Sequence, residues 1–242
     1  MTTLTLVRAV AKGFHRPEAT VALAIRRLRD DGELDEGASG RGGAPVSARD
    51  ASRLMMGLCS GHQIKDLGPA VRSIRGLPLT DITPKPERLR RRSDGHPDVR
   101  RVALDMYEKP GLTFGRMLED AIRSAARGRL LPVVHELDTL SPPTASGRQR
   151  RVSTSDLLQL NAEESQIFRV QIGSTLDKDQ KPFAVIHFGI KRLFLFSFIF
   201  DPGENTVSPA GDHLILPRNP GLNFVGGFDV DAIRAAAVVL RE

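Results

Sequence analysis

The sequence predicts an α+β protein, and two changes along its 242 residues carry that prediction. Apolar residues recur at three- and four-residue spacing in the N-terminal stretches and again over residues 113–126, the period of helices packed on one face. From Phe168 onward the period falls to two, as in half-buried strands, before a last helical stretch. The charge changes too. Residues 1–152 hold 27 Lys and Arg against 18 Asp and Glu, a net +9, whereas residues 153–242 hold 8 against 11, a net −3. A basic first part points to a polyanionic partner and sets the acidic, Phe-rich end apart from it.

Leu4, Leu6, Val7, Val10, Ala11 and Phe14 predict an amphipathic helix over Leu4 to Phe14. Gly13-Phe14-His15-Arg16-Pro17 breaks it, and Pro17 suits the first position of a second helix, where its missing N–H is no loss. That helix runs to Asp30 or Asp31, with Val21, Ala24, Ile25 and Leu28 inward and Gly32 just past its end. Gly37, Gly40, Gly42 and Gly43 surround Arg41 in a loop suited to the tip of a short hairpin. Ser47, with Asp50 three residues on, reads as the N-cap and capping box of a helix through Cys59. Its Leu54, Met55, Met56 and Leu58 favour core packing over a dimer contact.

Residues 61–97 read as a connector broken by Pro69, Pro78, Pro84 and Pro86, with a short helix allowed at Leu67 to Ile74. The connector ends in a basic run, Arg88, Arg90, Arg91 and Arg92, suited to an arm along a nucleic-acid backbone. Pro97 opens a helical segment to about Tyr107. After Pro110-Gly111 a second helix spans Thr113 to Ala126 on a stripe of Phe114, Leu118, Ala121, Ile122 and Ala125. Residues 139–154, with Arg148, Arg150 and Arg151, read as a flexible arm.

Phe168–Ile172, Phe183–Phe188 and Leu193–Phe200 predict an antiparallel meander of three or four strands, followed by a strand at His213–Leu216 and a closing helix at Val230–Leu240. Phe194, Phe196, Phe198 and Phe200 share one strand face. A base-stacking platform interleaves basic residues and this face does not, so it reads as core or as a dimer interface. The expected organisation is therefore a head at 1–62, a basic Pro-rich linker at 63–97 and a C-terminal α+β domain at 98–242.

Several function classes find no footing. The single cysteine, Cys59, excludes an internal disulfide framework and Cys-rich zinc modules, and it reads as a small core residue. His135, Glu136 and Asp138 do not match HExxH, and His187 reads as a half-buried or surface residue. With no P-loop, Rossmann glycine pattern, GxSxG or paired carboxylates, no enzyme, cofactor or metal is expected. The apolar run Leu193–Phe200 is far shorter than the roughly 20 residues of a membrane helix. The opening MTTLTLVRAV lacks the pattern of a signal peptide, so a cytoplasmic location without membrane is expected.

Residues 4–47 resemble the winged helix-turn-helix head of bacterial and phage transcription regulators of the MarR and GntR kind. The stretch that carries the likeness is Leu6 to Phe14, then Thr20-Val21, then Ile25-Arg26-Arg27-Leu28-Arg29-Asp30-Asp31-Gly32-Glu33-Leu34, then the Gly/Arg loop. The resemblance implies a recognition helix starting near Thr20 and a wing near Arg41. On that reading His15, Arg16, Thr20, Leu23, Arg26, Arg27, Arg29 and Arg41 meet duplex DNA, the arginines on phosphates or base edges and Leu23 on thymine methyls. It further implies a homodimer reading two half-sites, with any small-molecule effector unspecified. Two other readings stay open at this point: a phage packaging component of the small-terminase type, and a protein-interaction adaptor whose helix pair never touches DNA.

Overall fold

Apolar stripes and stop signals place the N-terminal helices closely where the sequence puts them. A computed structural model describes residues 3–35, 46–83, 111–127, 166–175, 181–190, 194–202 and 222–240. Helix α1 spans Thr3–Gly13 and α2 spans Glu18–Asp30. Both end in the same way. After α1, the Arg16 N–H bonds the Ala11 carbonyl and the His15 N–H the Lys12 carbonyl, with His15 left-handed at φ 50°. After α2, the Glu33 N–H bonds the Leu28 carbonyl and the Gly32 N–H the Arg29 carbonyl, with Gly32 at φ 71°. These are two Schellman caps, the second on the usual glycine and the first on a histidine. Pro17 is the N-cap of α2 rather than its first helical residue, because its ψ of 137° is extended.

Helix α3, Ala48–Cys59, opens with the expected capping box: the Ser47 hydroxyl accepts from the Asp50 N–H and the Asp50 carboxylate from the Ser47 N–H. Ten of its twelve residues are buried, so it is the central helix. A 3-10 turn at Ile64–Asp66 leads into α4, Leu67–Arg75, and then β1, Leu79–Thr83. Thr113 accepts a hydrogen bond from the Arg116 N–H at the start of α5, Phe114–Ala126.

The sheet comprises β1, β2 (Gln166–Thr175), β3 (Pro182–Ile190), β4 (Phe194–Phe200) and β5 (Leu222–Asp229), antiparallel throughout, in the order β1-β4-β3-β2-β5. The expected meander is its centre, β2-β3-β4. Helix α6, Val230–Val238, follows β5 directly and is capped by the Asp229 carboxylate, which accepts from the Asp231 and Ala232 N–H groups. The protein is thus mixed helix and antiparallel sheet. Among the described residues no helix is long and apolar enough to cross a membrane.

One sheet face carries Val170, Ile172, Ala184, Ile186, Phe198, Phe200 and Phe228 into a single cluster with the buried stripes of the six described helices. Phe114 of α5 meets Phe200 edge to face, with ring centroids 5.4 Å apart. The opposite face buries a smaller cluster, Phe183, Val185 and Ile199. Phe198 and Phe200, of the four expected to share one face, do lie together on the helix side.

Two features depart from the expected organisation. The division at 62/63 runs through this continuous core, since α1 packs on α6 and α3 on α4, α5 and β5. The start of the expected linker also holds α4 and β1, with Leu67, Val71, Ile74, Leu77 and Ile82 in the core. The Leu79 N–H bonds the Leu112 carbonyl and the Phe114 N–H the Leu77 carbonyl, so the chain after α4 is stitched to the start of α5. The expected wing loop at 37–45, the helix at 97–107, the arm at 139–154 and the strand at 213–216 lie outside the described residues.

Candidate nucleic-acid interface

The α2 sequence divides cleanly between two faces. Val21, Ala24, Ile25 and Leu28 are buried against α1 and α3, while Ala19, Ala22, Leu23, Arg26 and Asp30 are exposed on the other side. Leu23 is 53% exposed, one of four large apolar residues at the surface among the described residues. The cap at His15 sets how the chain turns from α1 into α2 and leaves His15 and Arg16 at the surface. Arg8 of α1 lies 3.9 Å from Glu18 across the exposed edge of the pair.

The residues expected to meet DNA fall into three groups. His15, Arg16, Leu23 and Arg26 are exposed on the turn and the outer face of α2, and Thr20 is partly exposed. Arg27 and Arg29 are partly exposed, and each is tied to a neighbouring side chain. Arg27 sits one turn before Asp31 and pairs with it at 3.0 Å, while the second Asp31 oxygen accepts from the Gly68 N–H at 3.2 Å. That carboxylate therefore pins the end of α2 to the start of α4. Arg29 reaches back to α1 and donates to the Thr3 hydroxyl at 2.7 Å. Arg41 and the run Arg88, Arg90, Arg91 and Arg92 lie outside the described residues, as do Arg148, Arg150 and Arg151.

Beneath the turn a cleft of about 760 Å³ opens between the end of α1, the end of α3, β5 and α6. Lys12, His15 and Arg16 form one wall and Asp229 and Asp231 another, with the Phe14 and Phe228 rings 5.4 Å apart between them. Gly226 is required there: a Cβ on it would stand 2.5 Å from the Cys59 carbonyl oxygen. Burial pushes the Cys59 thiol up to about 12, against a smaller opposing effect of Arg16, so it is a neutral core group at pH 7. No family model, curated protein or solved structure matches this chain.

His187, which reads from the sequence as half-buried or at the surface, is buried. It faces Ser197 on β4 and Gln171 on β2, with Nδ1 2.8 Å from the Ser197 hydroxyl and Nε2 3.0 Å from Gln171 Oε1. An amide oxygen only accepts, so Nε2 carries the proton and Nδ1 accepts from Ser197. Burial, then the charge of Arg169, lowers its pKa to about 4. It is a neutral, fully bonded core histidine. Among the described residues no group of three or more His, Cys, Asp or Glu is arranged to hold a metal.

Sequence reasoning missed one basic constellation altogether. Arg49 and Arg53 of α3, Arg72 and Arg75 of α4 and Arg116 of α5 line one cleft, although the first and last of them are 67 positions apart in sequence. Only the packing of three helices brings them together.

Proposed function

We propose that this protein binds duplex DNA through α1, the turn and α2, and acts as a transcription regulator. The observation that carries the reading is the one-sidedness of α2. Its apolar stripe is fully committed to the core, while Arg26 and Leu23, with Arg16 at the turn, face outward. A helix entering the major groove needs that division: apolar residues hold it to the body, and the opposite side meets base edges and phosphates. The net +9 of residues 1–152 supports attraction to a polyanion. The C-terminal sheet and helices then support the head and provide surface for a second copy or an effector.

Binding of the full chain to a duplex of about 30 base pairs, long enough for two half-sites one turn apart, tests this directly. Affinity is expected to fall linearly with the logarithm of salt concentration, with a slope of about −0.9 per phosphate contacted. Folded protein that shows no duplex binding even at low salt would overturn the proposal. The exposed Ala22 and Leu23, which offer no hydrogen bonds, favour the protein-interaction adaptor in that event.

A further inference from the structure

Helices α3, α4 and α5 enclose a cleft of about 570 Å³ whose walls carry five guanidinium groups, from Arg49, Arg53, Arg72, Arg75 and Arg116. Few carboxylates among the described residues balance them. Glu33 is shared by three arginines, at 3.6 Å from Arg53, 3.1 Å from Arg72 and 3.4 Å from Arg75. Glu119 lines the cleft but is bonded to Arg123. Asp50 is engaged by Ser47 in the α3 capping box. Arg49 and Arg116 have no ion-pair partner among the described residues, and both are exposed.

Positive charge outweighs negative among the described groups of this cleft. Burial, then the like charges of Arg49 and Arg75, pull the Arg53 guanidinium below its usual pKa in spite of Glu33 and Asp50. The buried Nε of Arg75 faces the Glu33 carboxylate at 3.4 Å without hydrogen-bond geometry. The first turn of α5 opens on the same cleft and adds the positive end of a thirteen-residue helix. Gly115 there lets α5 approach α4: a Cβ on it would lie 2.9 Å from both the Arg75 Cβ and its carbonyl oxygen.

We propose that this cleft binds a small phosphate-bearing molecule, with the guanidinium forks of Arg49, Arg72 and Arg116 meeting its phosphate oxygens. Arginine suits that ligand because its planar fork matches two phosphate oxygens at once. The volume falls in the range of small-molecule sites. Glu33 and the buried Arg53 form the floor that holds Arg72 and Arg75 in place. The site stands apart from the outer face of α2 and does not depend on whether that face meets DNA.

Calorimetric titration of the full chain with pyrophosphate and tripolyphosphate, against sulfate at matched ionic strength, tests it. Both phosphates are expected to bind and to raise the melting temperature more than sulfate does. The double variant Arg49→Ser/Arg116→Ser is expected to weaken that binding about tenfold or more, as loss of charged hydrogen bonds requires. Arg26→Ala should leave it unchanged. Arg116→Glu gives a second reading, since an acidic residue in the first turn suits the helix and preserves the fold while reversing the charge. Phosphates no better than sulfate, or affinity indifferent to both cleft variants, would overturn the site. If the double variant instead loses only duplex DNA, with no pyrophosphate binding in the parent chain, the arginines serve a polymer backbone and the small-ligand site is wrong.

Discussion

The outer face of α2 and the cleft between α3, α4 and α5 are both basic, yet they are built in opposite ways. On α2, Arg26 stands in solvent on a helix whose inner stripe is complete without it. In the cleft, Arg53 is 6% exposed and Glu33 4%, so charge is sunk into the core and the fold depends on it. A charge at the surface is available to a partner at almost no cost to stability. A buried one is an integral part of the packing, and removing its partner leaves an ion stranded in a poor solvent.

The largest difference between the two surfaces should appear on Glu33→Ala. This substitution leaves Arg53 buried without its nearest carboxylate and lets Arg72 and Arg75 repel each other. A loss of about 3–5 kcal/mol is expected from breaking a buried pair on one side only. Urea denaturation measures it, and a loss below about 1 kcal/mol, the range of an exposed pair, would show that the cleft charges are solvated like those of α2.

A pH titration sharpens the contrast between groups whose charge is used and one whose charge is suppressed. His187 has a pKa near 4 in the fold against its ordinary 6.5. Between those values the unfolded chain binds a proton that the folded chain does not, so stability rises with pH there. Stability present above pH 6.5 is therefore lost as pH falls, by roughly 3 kcal/mol once pH 4 is reached. His187→Gln should flatten that stretch of the stability profile while lowering stability at pH 7, through the lost bonds to Ser197 and Gln171. A profile of the same slope in the variant would assign the acid sensitivity to other groups.

Local signals account for what was legible in the sequence. The stripe Val21, Ala24, Ile25 and Leu28, the stop at Gly32 and the Ser47/Asp50 capping box each depend on neighbours within a few residues. The β2-β3-β4 meander likewise follows from alternation and short loops. Strand β1 was hidden because Leu79–Thr83 is five residues long with Thr and Asp between its apolar positions, and it exists by pairing with β4 far along the chain. Strand β5 was hidden by Gly226-Gly227, which reads as a loop until the end of α3 is seen to lie on Gly226. The candidate site was legible to the same depth. Helical period put Arg26 and Leu23 outward, but it also put Arg27 outward, because no local pattern shows that Asp31 is held by α4 and holds Arg27 in turn. The arginine cleft has no signature in sequence at all.

The smallest expected stability effect is also the sharpest test of which α2 arginine faces a partner. Arg26 has no ion pair among the described residues and is exposed, so Arg26→Ala should change stability by less than about 0.5 kcal/mol. If it touches a phosphate, the same variant should weaken duplex binding uniformly across sequences and reduce the magnitude of the salt slope by about 0.9. Arg27→Ala should do the reverse. Its pair with Asp31 is partly sheltered, with the carboxylate 14% exposed, and its loss should cost about 0.5 kcal/mol, at the scale of a helical i,i+4 pair. Its salt slope should stay near that of the parent, since Arg27 is held back by Asp31. Measured together by anisotropy and thermal melts, an equal reduction of the salt slope in the two variants would mean that Arg27 leaves Asp31 to meet the phosphate. The outer face of α2 would then be wider than the packed structure leaves it.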